Sequence, residues 1–230
     1  MESLGPAEWT AIWLSLRVAV VATICALPVA VAVAYLLARK RFPGRQLLNG
    51  LVHMPLVLPP VVTGYLLLVL FGQTGPIGGF LNDTFGITLA FRWTGAALAA
   101  AIMAFPLMVR AIRLAIEAVD QGLEEAASTL GASRWRIFST VTLPLILPGV
   151  LAGAILGFAK ALGEFGATIT FVAAIPGQTQ TIPSAIYGLL QVPGGEPAVV
   201  GLVIVSVILA MGALLISEWL ARRMARQVGR

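Results

Sequence analysis

Charged residues are scarce in this sequence. Asp, Glu, Lys and Arg together make up 11% of its 230 residues, whereas hydrophobic residues make up 59%. Soluble domains carry about 25% charged residues, so this composition, with a mean hydropathy of +0.95, indicates an integral membrane protein. Cysteine and histidine are equally rare, because Cys25 and His53 are each the only residue of their type. A disulfide within the chain and a cysteine metal site are therefore excluded, and we expect no bound metal.

Motifs for nucleotide chemistry and for catalysis are also missing. The pattern G-x-x-x-x-G-K-[ST], which cradles nucleotide phosphates, does not occur, and neither does a Ser/His/Asp set or a glycine-rich dinucleotide fingerprint. We therefore expect a protein that is not an enzyme, with no catalytic residue and no cofactor of its own. The net charge of +5 does not indicate nucleic acid, because the arginines cluster beside apolar runs and not among stacking aromatic residues.

Five apolar runs are candidates for membrane-spanning helices, and we expect a single all-α transmembrane domain over residues 1–230. The runs cover residues 11–37, 47–71, 94–112, 148–171 and 199–220. A shorter helix is predicted over 182–191 on the outer side, since Thr181 can cap it and Pro183 suits its first turn. Twelve of the fifteen Lys and Arg residues then lie on one side, which the positive-inside rule makes cytoplasmic. The chain would be a multi-pass membrane protein with its N-terminus outside and its C-terminus in the cytoplasm.

Prolines make the second predicted span unusual. Pro55, Pro59 and Pro60 stand just before Thr63. The backbone carbonyls that prolines leave unpaired are tolerated at membrane depth only inside protein or beside a wet cavity. This span is therefore a candidate for one side of a translocation pathway.

The fourth predicted span combines charges with small residues. A stripe of small residues that would let another helix come close is formed by Gly149, Gly153, Gly157 and Ala161. Lys160 and Glu164 fall on nearly the same helix face, and charges within a span usually mark a pathway or a paired interior site. Alternatively, they form an intrahelical pair that only neutralises itself. Thr63, Thr168 and Thr170 add hydroxyls to the candidate translocation pathway.

The longest polar interruption covers residues 117–144, EAVDQGLEEAASTLGASRWRIFSTVTLP. Ala126 and Ala127 give its first part high helix propensity, and Gly131 is a suitable residue for the end of a short helix. Such a helix buries too little apolar area to be stable alone, so we expect it to rest on another surface. The alternative is a solvated loop between two membrane helices.

The same stretch resembles the EAA loop of ABC-transporter permeases. The family pattern is E-A-A, three residues, G, nine residues and I-x-L-P, and this chain departs from it at Val141, which replaces Ile. The resemblance implies a cytoplasmic coupling helix that binds an ABC ATPase, to which ATP and magnesium would bind. The implied ATPase-coupling residues are Glu124, Glu125, Ala126, Ala127, Gly131, Leu143 and Pro144.

Four further segments, 54–72, 104–120, 162–171 and 175–187, resemble the molybdate ABC-transporter permease family. This resemblance implies an inner-membrane subunit with a five-span helical bundle of the type I ABC importer permease kind. It also implies alternating access by a homodimer, with two cytoplasmic ATPase copies and an external oxyanion-binding protein. Sulfate permeases share the run at 162–166, so sulfate and tungstate are alternative substrates. A nucleotide-independent channel, a secondary transporter and a structural membrane subunit are the rival functions.

Overall fold

The structure is a computed structural model that describes residues 4–228, with the side chains of the last helix described as far as Ile216 and at Trp219. In chain order the helices are α1 (Pro6–Arg39), α2 (Arg45–Val57), α3 (Pro60–Phe71), α4 (Pro76–Phe85), α5 (Trp93–Ala118), α6 (Gln121–Thr129), α7 (Arg134–Ile137), a π-helical turn (Phe138–Thr142), α8 (Leu143–Leu162), α9 (Gly166–Val172), α10 (Ile182–Leu189) and α11 (Glu196–Val228). The predicted all-α architecture is confirmed for this part of the chain.

The core of the bundle lies where α1 packs against α5. Both helices contribute buried alanines at helical spacing, namely Ala19, Ala22, Ala26, Ala30 and Ala34 on α1 and Ala96, Ala99, Ala100 and Ala104 on α5. Small residues stabilise membrane helix pairs because they let the two backbones approach closely. Larger side chains such as Met108 and Ile112 are fully buried and fill the remaining space.

The predicted stripe of small residues on α8 packs against the other side of α5. A Cβ atom added at Gly149 would collide with the Cβ of Ala115, and one added at Gly153 would lie 3.1 Å from Cγ1 of Ile112. These distances leave no room for a larger side chain on that face of α8. The expectation that the stripe allows close helix packing is confirmed.

The second predicted span, 47–71, is not one straight helix. It is divided into α2 and α3, which are bent by 115° relative to each other. Leu58 and Pro59 both have extended backbone angles, with ψ of 142° and 134°. A residue before proline avoids the helical conformation, and two consecutive prolines impose this at both positions. The span predicted over 47–71 is therefore broken at Leu58 and Pro59.

The segment between the second and third predicted spans, 72–93, contains the helix α4. Pro76 opens this helix, where the missing N–H of proline costs nothing. Gly86 closes it in the left-handed region at φ +66°, which glycine adopts without strain. Gly75 and Gly86 therefore lie at the two ends of α4, and Gly78 and Gly79 lie within it.

The fourth predicted span, 148–171, differs from the structure at both ends. Its helix is already continuous from Arg134 and stops at Leu162. Pro144 does not interrupt it, because the π-helical turn precedes it, with the N–H of Leu143 donating to the carbonyl of Phe138. A wide turn of this kind relieves the clash that a proline ring otherwise makes with the preceding turn. The residues after Leu162 turn away and form the separate helix α9.

Four helices of the described chain are long and apolar enough to cross a membrane: α1, α5, α8 with the turns before it, and α11. The bent pair α2 and α3 makes a fifth if it is counted as one span. Counted in this way, the candidate spans equal the predicted number of five, and the second of them is broken.

The short helix α10 lies at one end of the bundle. It begins at Ile182 with Thr181 as its cap, as predicted, and the N–H of Ile182 donates to Oγ of Ser15 over 2.7 Å. Ser15 and Arg39, which contacts α6, are separated by about 36 Å of α1 at 1.5 Å per residue. Helices α10 and α6 therefore lie at opposite ends, the relative placement that the sequence predicts.

Candidate coupling and translocation sites

Helix α6 is a short surface helix whose two ends are set by local chemistry. The carboxylate of Asp120 accepts the N–H of Gly122 over 2.9 Å at its start, which satisfies one of the free N–H groups of the first turn. Gly131 follows its end at φ +81°, as the sequence predicted for a helix that ends with glycine. None of the residues of α6 is buried, so the helix is held by few contacts.

Glu124 is the residue that fixes α6 to the bundle. Its Oε1 accepts hydrogen bonds from Nη2 of Arg39 over 3.3 Å and from Oγ1 of Thr142 over 2.7 Å. Arg39 is 8% exposed in its side chain and also donates to the carbonyl of Val119 over 3.0 Å. One carboxylate therefore joins α6 to the end of α1 and to the π-helical turn that leads into α8.

This network brings together the two halves of the polar motif. Glu124 adjoins the Glu-Ala-Ala triplet, and Thr142 is the residue before Leu143 and Pro144. Leu143 is half-buried and Pro144 is exposed at the start of α8. The nine-residue spacing between the glycine and the end of the motif thus allows the chain to turn back and place both halves at one end of the bundle.

The sequence did not indicate Arg39, Leu123 or Leu130 as parts of this site. The side chain of Arg39 is buried against α6. On α6, Leu123, Ala126, Ala127 and Leu130 are spaced at i, i+3, i+4 and i+7, which places them on one face. Leu123 is 50% and Leu130 is 88% exposed. Their spacing was the available signal, and we call these four residues the α6 stripe.

The predicted pair of charges is present at the end of α8. Nζ of Lys160 lies 2.6 Å from Oε2 of Glu164, and the side chains are 30% and 1% exposed. The other oxygen of Glu164 accepts the N–H of Ala167 over 3.0 Å, which the sequence did not indicate. Glu164 lies after the end of α8, so the pair joins the last turn of α8 to the first turn of α9.

The three predicted threonines lie on α3 and α9, which pack against each other. Thr63 is 6% exposed, and its hydroxyl has no hydrogen-bond partner among the described residues. The hydroxyls of Thr168 and Thr170 donate within their own helix, to the carbonyls of Phe165 over 2.8 Å and Gly166 over 2.9 Å. The hydroxyls of Thr168 and Thr170 are therefore already used as donors in this conformation, whereas the hydroxyl of Thr63 is free to donate to an anion.

Two helix breaks meet at this position. A Cβ added at Gly166 would lie 2.7 Å from Cβ of Pro60, and one added at Gly64 would lie 2.9 Å from Cβ of Thr170. The break between α2 and α3 therefore contacts the break between α8 and α9. Broken helices of this kind line binding sites in many membrane transporters, because their ends leave backbone groups unpaired. Gly64 and Gly166, which permit the contact, were not singled out from the sequence.

No group of three or more His, Cys, Asp or Glu side chains able to hold a metal ion is found among the described residues. The first site can transmit movement from a partner protein, and the second can interact with a charged solute. One presents an exposed apolar stripe on a short helix. The other brings two helix breaks together, with the buried hydroxyl of Thr63 on one side and the lysine–glutamate pair on the other.

Known proteins share both the sequence and the architecture of this chain. Residues 26–226 match the family described as "Binding-protein-dependent transport system inner membrane component". The chain is 61% identical over 223 residues to the molybdenum transport system permease protein ModB of Escherichia coli (strain K12), and the match covers 97% of each protein.

Solved structures share the fold. A chain of the MetNI methionine ABC transporter in an inward-facing conformation matches with a TM-score of 0.74 at 18% identity, over 96% of this chain and 99% of that one. A chain of the bacterial alginate ABC transporter, solved in complex with an alginate pentasaccharide-bound periplasmic protein, matches with a TM-score of 0.75 at 18% identity, over 96% and 80% of the two chains. The chain belongs to the family of binding-protein-dependent transport system inner membrane components.

Proposed function

We propose that the chain is the membrane-spanning subunit of an ATP-driven ABC importer that carries molybdate into the cytoplasm by alternating access. The observation that carries this proposal is the 61% identity, over 97% of the chain, to a molybdenum transport system permease protein. Helices of the required number and length support the membrane-spanning role. The chain itself would act as a permease and not as an enzyme.

The energy for import would come from other proteins. This chain has no phosphate loop, so ATP and magnesium would bind a separate cytoplasmic ABC ATPase. An external oxyanion-binding protein would deliver the substrate, and a second copy of this chain would complete the pathway. The structural likeness to an importer solved with its periplasmic protein supports partners of these kinds.

The orientation of the chain in the membrane follows from its basic residues. Arg39 and Arg45 lie at the end of the bundle that carries α6, where both make hydrogen bonds to backbone carbonyls. Because an excess of Lys and Arg marks the cytoplasmic side, this end would face the cytoplasm. The N-terminus would then be outside and the C-terminus inside, and α6 would be accessible to the ATPase.

The ATPase would bind to the α6 stripe together with Glu125 and Gly131. Exposed apolar residues on one face of a helix are suited to a groove in a partner protein. Movement of α6 would pass through Glu124 to α1 by way of Arg39 and to α8 by way of Thr142. The hydrogen bonds of Glu124 thus supply a direct route from the ATPase to two membrane-spanning helices.

The translocation pathway would pass the contact between the two helix breaks. Thr63 would donate its free hydroxyl to the oxyanion, and Thr168 and Thr170 would contribute oxygens that rotate into donor positions during the cycle. Glu164 would repel an anion if it were unpaired, so Lys160 would keep its charge neutralised. Burial of an unpaired dianion is strongly unfavourable, so contact with these groups would be brief.

The substrate is tested by reconstituting the permease with its ATPase and binding protein and measuring ATP hydrolysis. We expect molybdate to stimulate hydrolysis at lower concentration than sulfate, with tungstate measured in parallel as the nearest chemical analogue. Stimulation by sulfate with no response to molybdate would contradict the proposed substrate while preserving the importer mechanism. Hydrolysis that responds to no oxyanion would contradict both.

The coupling site is tested by cross-linking. Cys25 is exposed, so Cys25→Ser is introduced first, and Ala126→Cys is then compared with Arg41→Cys, an exposed position at the same end of the bundle. We expect cross-links between Ala126→Cys and the ATPase, with a yield that changes when nucleotide is added. Strong cross-links from Arg41→Cys and none from Ala126→Cys would contradict the proposed coupling site.

A further inference from the structure

A groove opens on the surface of the bundle between the second half of α1 and α7. Its volume is about 720 Å³, and it is lined by residues of α1 from Pro28 to Leu36, by Trp135 and Phe138, and by Lys40 and Arg134 at one end. The ring of Phe138 packs edge-on against Tyr35 at 5.3 Å between centroids, which forms the floor of the groove. The groove is therefore apolar along its length and cationic at one end.

The position of the groove in the membrane follows from the charges on α1. No charged residue occurs between Arg17 and Arg39, and these 21 residues rise about 31 Å, close to the thickness of the hydrocarbon core. Pro28 stands midway along this stretch, near the centre of the bilayer. The groove thus extends about 18 Å from the bilayer centre to the interface at Lys40, which is the depth of one leaflet.

The cationic end has the character of a headgroup site. Lys40 and Arg134 are exposed, and neither pairs with a carboxylate among the described residues, in contrast to Arg39, which pairs with Glu124. Trp135 is 75% exposed beside them. Tryptophan is enriched at the level of lipid headgroups because its ring is apolar with one polar N–H.

We propose that this groove binds one anionic phospholipid from the leaflet on the α6 side. The phosphate lies between Lys40 and Arg134, and an acyl chain extends along α1 towards Pro28, with Trp135 and Phe138 on its other side. Basic pockets beside membrane helices recognise anionic headgroups, and the apolar length of the groove matches one leaflet. A zwitterionic lipid would bring its own cation beside Lys40 and Arg134, so the site favours an anionic one. The lipid would brace α7, which directly follows α6.

The proposal is tested on the complete permease–ATPase complex in phosphatidylcholine nanodiscs. Phosphatidylglycerol and phosphatidylcholine, each with brominated acyl chains, are titrated separately over the same range of mole fractions, and quenching of Trp135 is isolated by comparison with Trp135→Phe. We expect brominated phosphatidylglycerol to quench at several-fold lower mole fraction. Lys40→Gln with Arg134→Gln should remove this preference, because each cation near the membrane surface favours an anionic lipid by about fivefold.

Matched variants distinguish lipid binding in the groove from the general effect of lowering the positive charge of the protein. Arg41→Gln with Arg136→Gln removes the same charge from exposed neighbours outside the groove, and it should leave the preference intact. Ala32→Phe fills the apolar half without adding a second indole and should weaken quenching by both lipids, whereas Ile24→Phe, on an exposed face of α1, should not. The proposal would be overturned if the two lipids quench Trp135 equally, or if the Arg41→Gln with Arg136→Gln control loses the lipid preference to the same extent. It would also be overturned if the ATPase shields Trp135 from both lipids.

Discussion

Removal of one member of the Lys160–Glu164 pair should destabilise the bundle, and by an amount that depends on which member is lost. The two side chains differ in burial, since Glu164 is 1% exposed and Lys160 is 30% exposed. Lys160→Met leaves a buried carboxylate whose remaining partner is the N–H of Ala167. An uncompensated charge of this kind costs about 3–5 kcal/mol.

Glu164→Gln is expected to cost less. The amide keeps a carbonyl oxygen for the N–H of Ala167, and the ammonium of Lys160 retains partial access to water. The loss is then that of one hydrogen bond between charged groups, about 1.5–3 kcal/mol. The double variant leaves no unpaired charge, so it should be less destabilised than Lys160→Met alone.

The free energy of unfolding of the purified permease is measured for the four proteins by denaturation with dodecyl sulfate in mixed micelles. A double-mutant cycle then gives the interaction energy of the pair. The reasoning is refuted if the double variant loses as much as the sum of the single variants. It is also refuted if Glu164→Gln is more damaging than Lys160→Met, because burial would then not set the cost.

Two further predictions concern glycines with matched controls. Gly131→Val forces a β-branched residue into the left-handed region at φ +81°, at a cost of about 1–2 kcal/mol, and should weaken ATPase binding in a co-purification assay. Gly50→Ala, at an exposed position of α2 where the added Cβ has no atom within 4 Å, should not. Gly149→Ala should lower the free energy of unfolding by about 1–3 kcal/mol because its Cβ would collide with Ala115, whereas Gly188→Ala, which has no atom within 4 Å, should be neutral in the same denaturation assay.

The sequence predicted those features that depend on local chemistry. Gly131 was expected to end a short helix and does so in the left-handed region, and Thr181 was expected to cap α10. The glycine stripe of α8 was also recognised, because helical spacing alone determines which residues share a face. Each of these inferences needed only residues within a few turns of one another.

The features that the sequence did not predict depend on geometry between distant segments. Prolines in the second span indicated freed backbone groups, but the 115° bend that they produce could not be read from composition. The hydrogen bond from Arg39 to Glu124 joins residues 85 positions apart, and no local pattern marks it. The end of α8 at Leu162 was missed because the apolar run resumes after Gly163 and Glu164 and continues to Phe171.

ATP-dependent transport of molybdate into proteoliposomes is the most direct test of the proposed importer. The vesicles contain the permease with its ATPase facing the interior, enclosed ATP and magnesium supply the ATPase, and the binding protein is added outside. Molybdate should accumulate inside against its gradient when ATP, ATPase and binding protein are all present, and accumulation should stop when any one of them is omitted. Equal molybdate flux through the permease alone, without nucleotide, would contradict an ATP-driven importer and favour a channel or a secondary transporter.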